Sequence, residues 1–186
     1  MNNKIEKEIE LLRASDNNEL TYMKNYNELK MKDVKSFYNH NQEVKKILED
    51  KAKTNIIVLT ISITLIMGFI NITELINSFE NLNIKIIILI LAIMSVGYMI
   101  VASLLSINLL VNKNIVFRIQ PSDLTLEKNL LKRKYALLTE LTIKQNLIRN
   151  NYIYSSYECI RNSLILLFTI FIMLLLARSS FLSLFI

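Results

Sequence analysis

Between Lys85 and Lys113 the chain runs for 27 residues, 86–112, without one Asp, Glu, Lys, Arg or His. About 20 predominantly apolar residues carry a helix across a bilayer, so this run is long enough to span with some tilt. It is the middle of three such stretches and therefore sets how the chain threads. The first is 54–73, again without a charge, and the third starts at Asn162, where 16 uncharged residues precede Arg178. Of the 186 residues 52% are hydrophobic, and the clustering of that excess is the membrane signal. The chain has two glycines, Gly68 and Gly97, and one proline, Pro121. A β-rich fold would need far more turn residues. The expected fold is an all-α membrane protein: three transmembrane helices with long cytoplasmic amphipathic helices, assembled as a homo-oligomeric bundle.

The segments between the apolar runs are strongly charged. Residues 1–54 hold 11 Lys/Arg and 10 Asp/Glu, and segment 1–53 reads as cytoplasmic N-terminal helices without a cleavable signal. Ile5, Ile9 and Leu12 make a first helical stripe. A second helix is expected from near Glu19, after the cap and turn residues at 15–18, with Leu20, Met23, Tyr26, Val34, Phe37, Tyr38, Val44 and Leu48 mostly on one face. Nothing in the sequence breaks that helix before Gly68. Segment 54–112 reads as a transmembrane hairpin with spans at 54–73 and 86–111, joined by a short outer connection.

Segment 113–161 holds nine Lys/Arg against four acids and reads as a basic cytoplasmic helix. Pro121-Ser122-Asp123 predicts a helix start. Leu124, Leu131 and Leu138 are seven apart, with Leu130, Leu137, Leu141, Ile148 and Tyr152 beside them as a coiled-coil-like seam. Segment 162–186 is the third span and tail, with Arg178 placed to snorkel at the far interface. Lysine and arginine concentrate before the first span and after the second. By the positive-inside rule the N-terminus is expected in the cytoplasm and the C-terminus outside.

Two residue groups are the candidate site. Ser95, Tyr98, Ala102 and Ser106 recur every three to four residues along the second span, with Asn108 following and Gly97 offering a small contact nearby. Such a stripe serves helix packing or lines a pore. Lys132, Arg133, Lys134, Tyr135 and Arg149 form the candidate anion-binding group, with basic side chains for phosphates and tyrosine for stacking. Catalytic machinery is not expected. His40 is the only histidine, the glycines form no phosphate loop, and the single Cys159 reads as a packed thiol. No metal and no cofactor is expected.

The layout resembles the SLATT-type and related small transmembrane effectors of bacterial conflict systems. The resembling parts are a charged helical N-terminus feeding DKAKTNIIVLTISITLIMGF at 50–69, a paired second span, and KRKYALLTELTIKQNLIRN at 132–150. SLATT proteins typically have two spans, and the run from Asn162 adds a third. The resemblance implies an oligomeric channel or membrane-disrupting effector in an antiphage system of the CBASS or Hailong type. Its implied partners are the bilayer, other copies of the chain, and a nucleotide or oligonucleotide ligand made by a nucleotidyltransferase, with no duplex nucleic acid. Two other readings fit the same sequence: a non-conducting membrane anchor or scaffold subunit that recruits a cytoplasmic partner, and a holin-like lysis protein.

Overall fold

The computed structural model describes residues 4–5, 7, 9–10, 20–70, 82–112 and 118–182, without the side chains at 61–63, 65–70, 111–112 and 177–182. Every regular element among them is helical. Helix α1 spans Met31–Ile70, α2 spans Leu82–Asn112, a 3-10 turn covers Pro121–Thr125, and α3 spans Lys128–Leu182. At 1.5 Å per residue, the 40, 31 and 55 residues of α1, α2 and α3 make rods of about 60, 46 and 82 Å. The want of glycine and proline explains the unbroken length of α3. The expected connection at 74–85 and the end of the first span lie mostly outside the described residues.

The chain divides into two compact units. The first comprises residues 1–52 and 108–153. Its core joins Ile9, Leu20, Met23, Val34, Tyr38, Tyr135, Leu138, Leu141 and Ile148. The Tyr38 and Tyr135 rings meet edge to face, 5.3 Å between centroids at 79°, a geometry that aligns ring edge with ring face. Of the predicted leucine seam, Leu138, Leu141 and Ile148 are buried, whereas Leu124 and Leu130 are exposed.

Two sequence expectations change here. Residues 21–29 form turns and bends, and α1 begins at Met31 rather than near Glu19. This segment is held by Glu140, a fully buried carboxylate on α3. It accepts hydrogen bonds from the backbone N–H groups of Thr21 (3.2 Å), Tyr22 (2.7 Å) and Met23 (3.1 Å). The chain then turns through i→i−3 bonds, Tyr26 N–H to Met23 O and Leu29 N–H to Tyr26 O. Likewise Pro121-Ser122-Asp123 starts only a 3-10 turn, in which Asp123 accepts the Gln120 N–H at 2.8 Å, and α3 begins at Lys128.

The second unit comprises residues 53–107 and 154–186. In it α2 runs antiparallel to α3, and α1 runs parallel to α3. Ile88 packs on Ile170 and Leu174, while Leu59, Met99, Ala102 and Ile160 make a second cluster. The buried α2 positions Ile88, Ser95, Met99, Ala102 and Ser106 step by seven, four, three and four, the spacing of a left-handed helix seam. Outside that seam the surface is apolar: Leu89, Ile93, Ile100 and Leu104 on α2 and Ile165, Phe168 and Leu175 on α3 are all exposed.

Glu140→Gln keeps the shape and removes the charge that three amides share. Hydrogen bonds to an ionised group contribute about 1.5–3 kcal/mol each, so the first unit is expected to lose about 3 kcal/mol, with faster amide exchange at 21–23. Unchanged protection of those amides would show that the carboxylate does not fix the segment.

Candidate ligand site and helix seam

The five residues of the candidate anion-binding group do not form one patch. Lys132 Nζ donates to the Asn27 carbonyl at 2.8 Å. Lys134 is ion-paired with Asp123, and that ammonium together with the Gln120 N–H holds the Asp123 carboxyl below the usual carboxylate range. Tyr135 is buried against Tyr38, and Arg133 is exposed. Arg149 lies 14 residues beyond Tyr135, about 21 Å along α3, and is fully buried, with Nη1 donating to Asn146 Oδ1 at 3.2 Å. Burial pulls its guanidinium below the ordinary value.

Residues 135–149 are thus a core segment rather than an exposed basic helix. Thr139, Glu140, Thr142, Lys144, Gln145 and Asn146 are all buried with it. Burial of polar groups favours hydrogen-bonded partners, and several are in place. The Thr139 and Thr142 hydroxyls donate back to Tyr135 O and Leu138 O, both at 2.7 Å. Asn146 Nδ2 donates to Asn41 O at 2.9 Å, and Gln42 Nε2 donates to Thr142 Oγ1 at 3.4 Å. Lys144 Nζ lies 3.8 Å from Glu140 Oε1 and 5.9 Å from the centre of the Tyr22 ring, a cation–π distance.

A concavity of about 460 Å³ opens in the same unit, lined by Tyr38, Gln42, Lys45, Lys46, Glu49, Arg118 and Ile119. The five α1 residues fall at i, i+4, i+7, i+8 and i+11, one helical face. Lys45 is largely buried and sits 3.8 Å from Glu49. Its ammonium is pulled down by burial and by the charges of Arg149 and Arg118, against the opposing pull of Glu49. The Tyr38 phenol is pushed up by burial, and its oxygen lies within hydrogen-bond reach of the Ile119 backbone and the Gln42 side chain. That contact seats the chain beside Arg118 on α1. The sequence pattern singled out none of these groups as a cluster. The four-three spacing from Tyr38 to Lys45 was the available signal, but Arg118 arrives from more than 70 residues away.

In the second unit the small and polar stripe of α2 faces α3. Ser95 and Ser163 face each other: their hydroxyls are 2.7 Å apart, and each hydroxyl also lies within hydrogen-bond distance of the other residue's backbone carbonyl, at 3.2 and 2.9 Å, so the two protons are shared among these acceptors. Ser106 and Ser156 hydroxyls meet at 2.8 Å, and Ser156 also donates to Ala102 O at 3.0 Å. Asn55 Nδ2 reaches Ser156 Oγ at 3.4 Å. Ala102 is fully buried, whereas Tyr98 is half-buried; Asn108 belongs to the first unit. Gly97 is exposed and a side chain there would meet open space, so it makes no close contact within the chain, contrary to expectation.

Two helices, over Leu82–Leu110 and Lys128–Leu176, are long and apolar enough to cross a membrane. Only 22% of the most apolar stretch of each is buried in the chain. The core helix of a water-soluble protein would be mostly covered. No family model matches the chain, and no curated protein or solved structure matches it.

Ser95→Cys with Ser163→Cys, in a Cys159→Ser background, is expected to form a disulfide within one chain on mild oxidation. Cross-linking found only between chains would remove Ser95 from the α2–α3 seam and return it to an assembly or pore face.

Proposed function

We propose that the chain is an oligomeric membrane channel or membrane-disrupting effector of bacterial antiphage defence, switched by a nucleotide-type ligand and acting without catalysis. The observation that carries this reading is the division of labour along the chain. The second unit leaves long apolar helix faces uncovered, as a protein in lipid does. The first unit is a polar-cored helical body with a basic concavity suited to a soluble signal. In this reading the spans 54–73, 86–111 and 162–177 cross the inner membrane, with the first unit in the cytoplasm. Copies of the chain assemble through faces that the α2–α3 seam leaves open. Thr60 and Thr64 are exposed polar positions on α1, each with its hydroxyl bonded to the carbonyl one turn back. They are the positions at which a shared aqueous path would be sought.

A second reading, the non-conducting anchor, is favoured by one observation. The hydroxyls of Ser95 and Ser106, which would line a pore, are engaged inside a single chain.

The deciding measurement is dye or potassium release from proteoliposomes holding the full-length protein, challenged with a panel of nucleotide second messengers. Ligand-dependent release is expected. Intact vesicles under every ligand, with the protein inserted, would favour the anchor. Topology is tested by Asn3→Cys in a Cys159→Ser background, which is expected to be labelled from the cytoplasmic side alone; labelling from outside would invert the arrangement.

A further inference from the structure

We propose that the concavity beside α1 is a binding site for a phosphate-bearing anion, held by Lys45, Lys46 and Arg118 with Gln42 as a neutral donor. It deepens the ligand-switched reading and takes its consequence, though not its binding test, from it. The first support is charge. Three cationic side chains line the concavity and Glu49 is the acid among its lining residues. Arg149, buried behind them on α3, adds its field to Lys45. Like charges gathered around one concavity repel one another, and that repulsion is relieved by an anion.

The second support is construction. Lys45 is held largely out of solvent, and its 3.8 Å separation from Glu49 is too long for a tight hydrogen-bonded pair. Arg118 is exposed at the rim, where its planar fork of donors is open to a phosphate. The floor is aromatic: Tyr38 meets Tyr135 edge to face. The volume of about 460 Å³ suits a small phosphorylated molecule or a single phospholipid headgroup.

Those two sources share one chemistry and are separated by experiment. The full-length protein is placed in nanodiscs of phosphatidylcholine alone or with phosphatidylglycerol, and inorganic pyrophosphate binding is followed by calorimetry. Saturable binding in phosphatidylcholine discs is expected. Loss of a charged contact should weaken it by about tenfold or more in Lys45→Gln and in Lys46→Gln with Arg118→Gln. Lys32→Gln, on the same helix outside the concavity, should bind normally. Lys46 and Arg118 are exposed, so their double variant reports on binding even if Lys45→Gln disturbs folding. Pyrophosphate excluded from phosphatidylglycerol discs, with the same variants losing preference for that lipid, assigns the site to a headgroup. Equal binding by wild type and the Lys46/Arg118 variant, or no saturable binding of either probe, overturns the proposal. The readout is binding, so absence of ion flux would count against the channel and leave this site standing.

Discussion

A single buried carboxylate organises the first unit. Glu140 has no water to solvate it, and an unsolvated charge must be matched by donors or it unfolds what surrounds it. The donors are three successive backbone amides, at Thr21, Tyr22 and Met23, with Lys144 at longer range. The same bonds direct those N–H groups at α3, and the segment continues in turns and bends rather than in a regular helix. Once they are committed, Leu20 and Met23 fall into the core beside Tyr135 and Leu138. α1 can then start only after the turns that follow. The position of Tyr38, and with it the basic concavity, follows from that start.

Helices α1 and α3 each supply residues to both units, and the two stretches of each obey different rules. In the first unit, polar side chains go inside with partners and the apolar residues fill between them. In the second, the apolar side chains stay outside and the few hydroxyls go inside. In both arrangements the buried serine and threonine hydroxyls are hydrogen-bonded within the chain. They differ in the surface they present: charged side chains lie outside in the first unit, and leucine, isoleucine and phenylalanine lie outside in the second.

Much of this was readable from the sequence. The rarity of glycine and proline foretold an all-helical chain, and the charge-free runs foretold the apolar helices. Val34, Tyr38, Leu138, Leu141 and Ile148 were placed on faces that are buried. The interior of 135–149 was not legible, because a Glu-x-x-x-Lys pair at 140 and 144 looks the same on a surface helix as in a core. What distinguishes them is the run of amides about 118 residues earlier, which no local periodicity encodes. The same holds for Arg118, which meets the α1 residues of the concavity from more than 70 residues along the chain.

The serine pairs of the second unit have one more implication. Leucine and isoleucine surfaces slide over one another with little preference for register. Ser95 with Ser163 and Ser106 with Ser156 do not. Shifting α2 along α3 by one turn would part both pairs at once and strand hydroxyls and a shared carbonyl against apolar neighbours. The two contacts act like dowel pins, converting a greasy seam into a jointed plate. Any rearrangement of the second unit therefore moves α2 and α3 together as one body, and the freedom left to it lies along the outer faces and at α1.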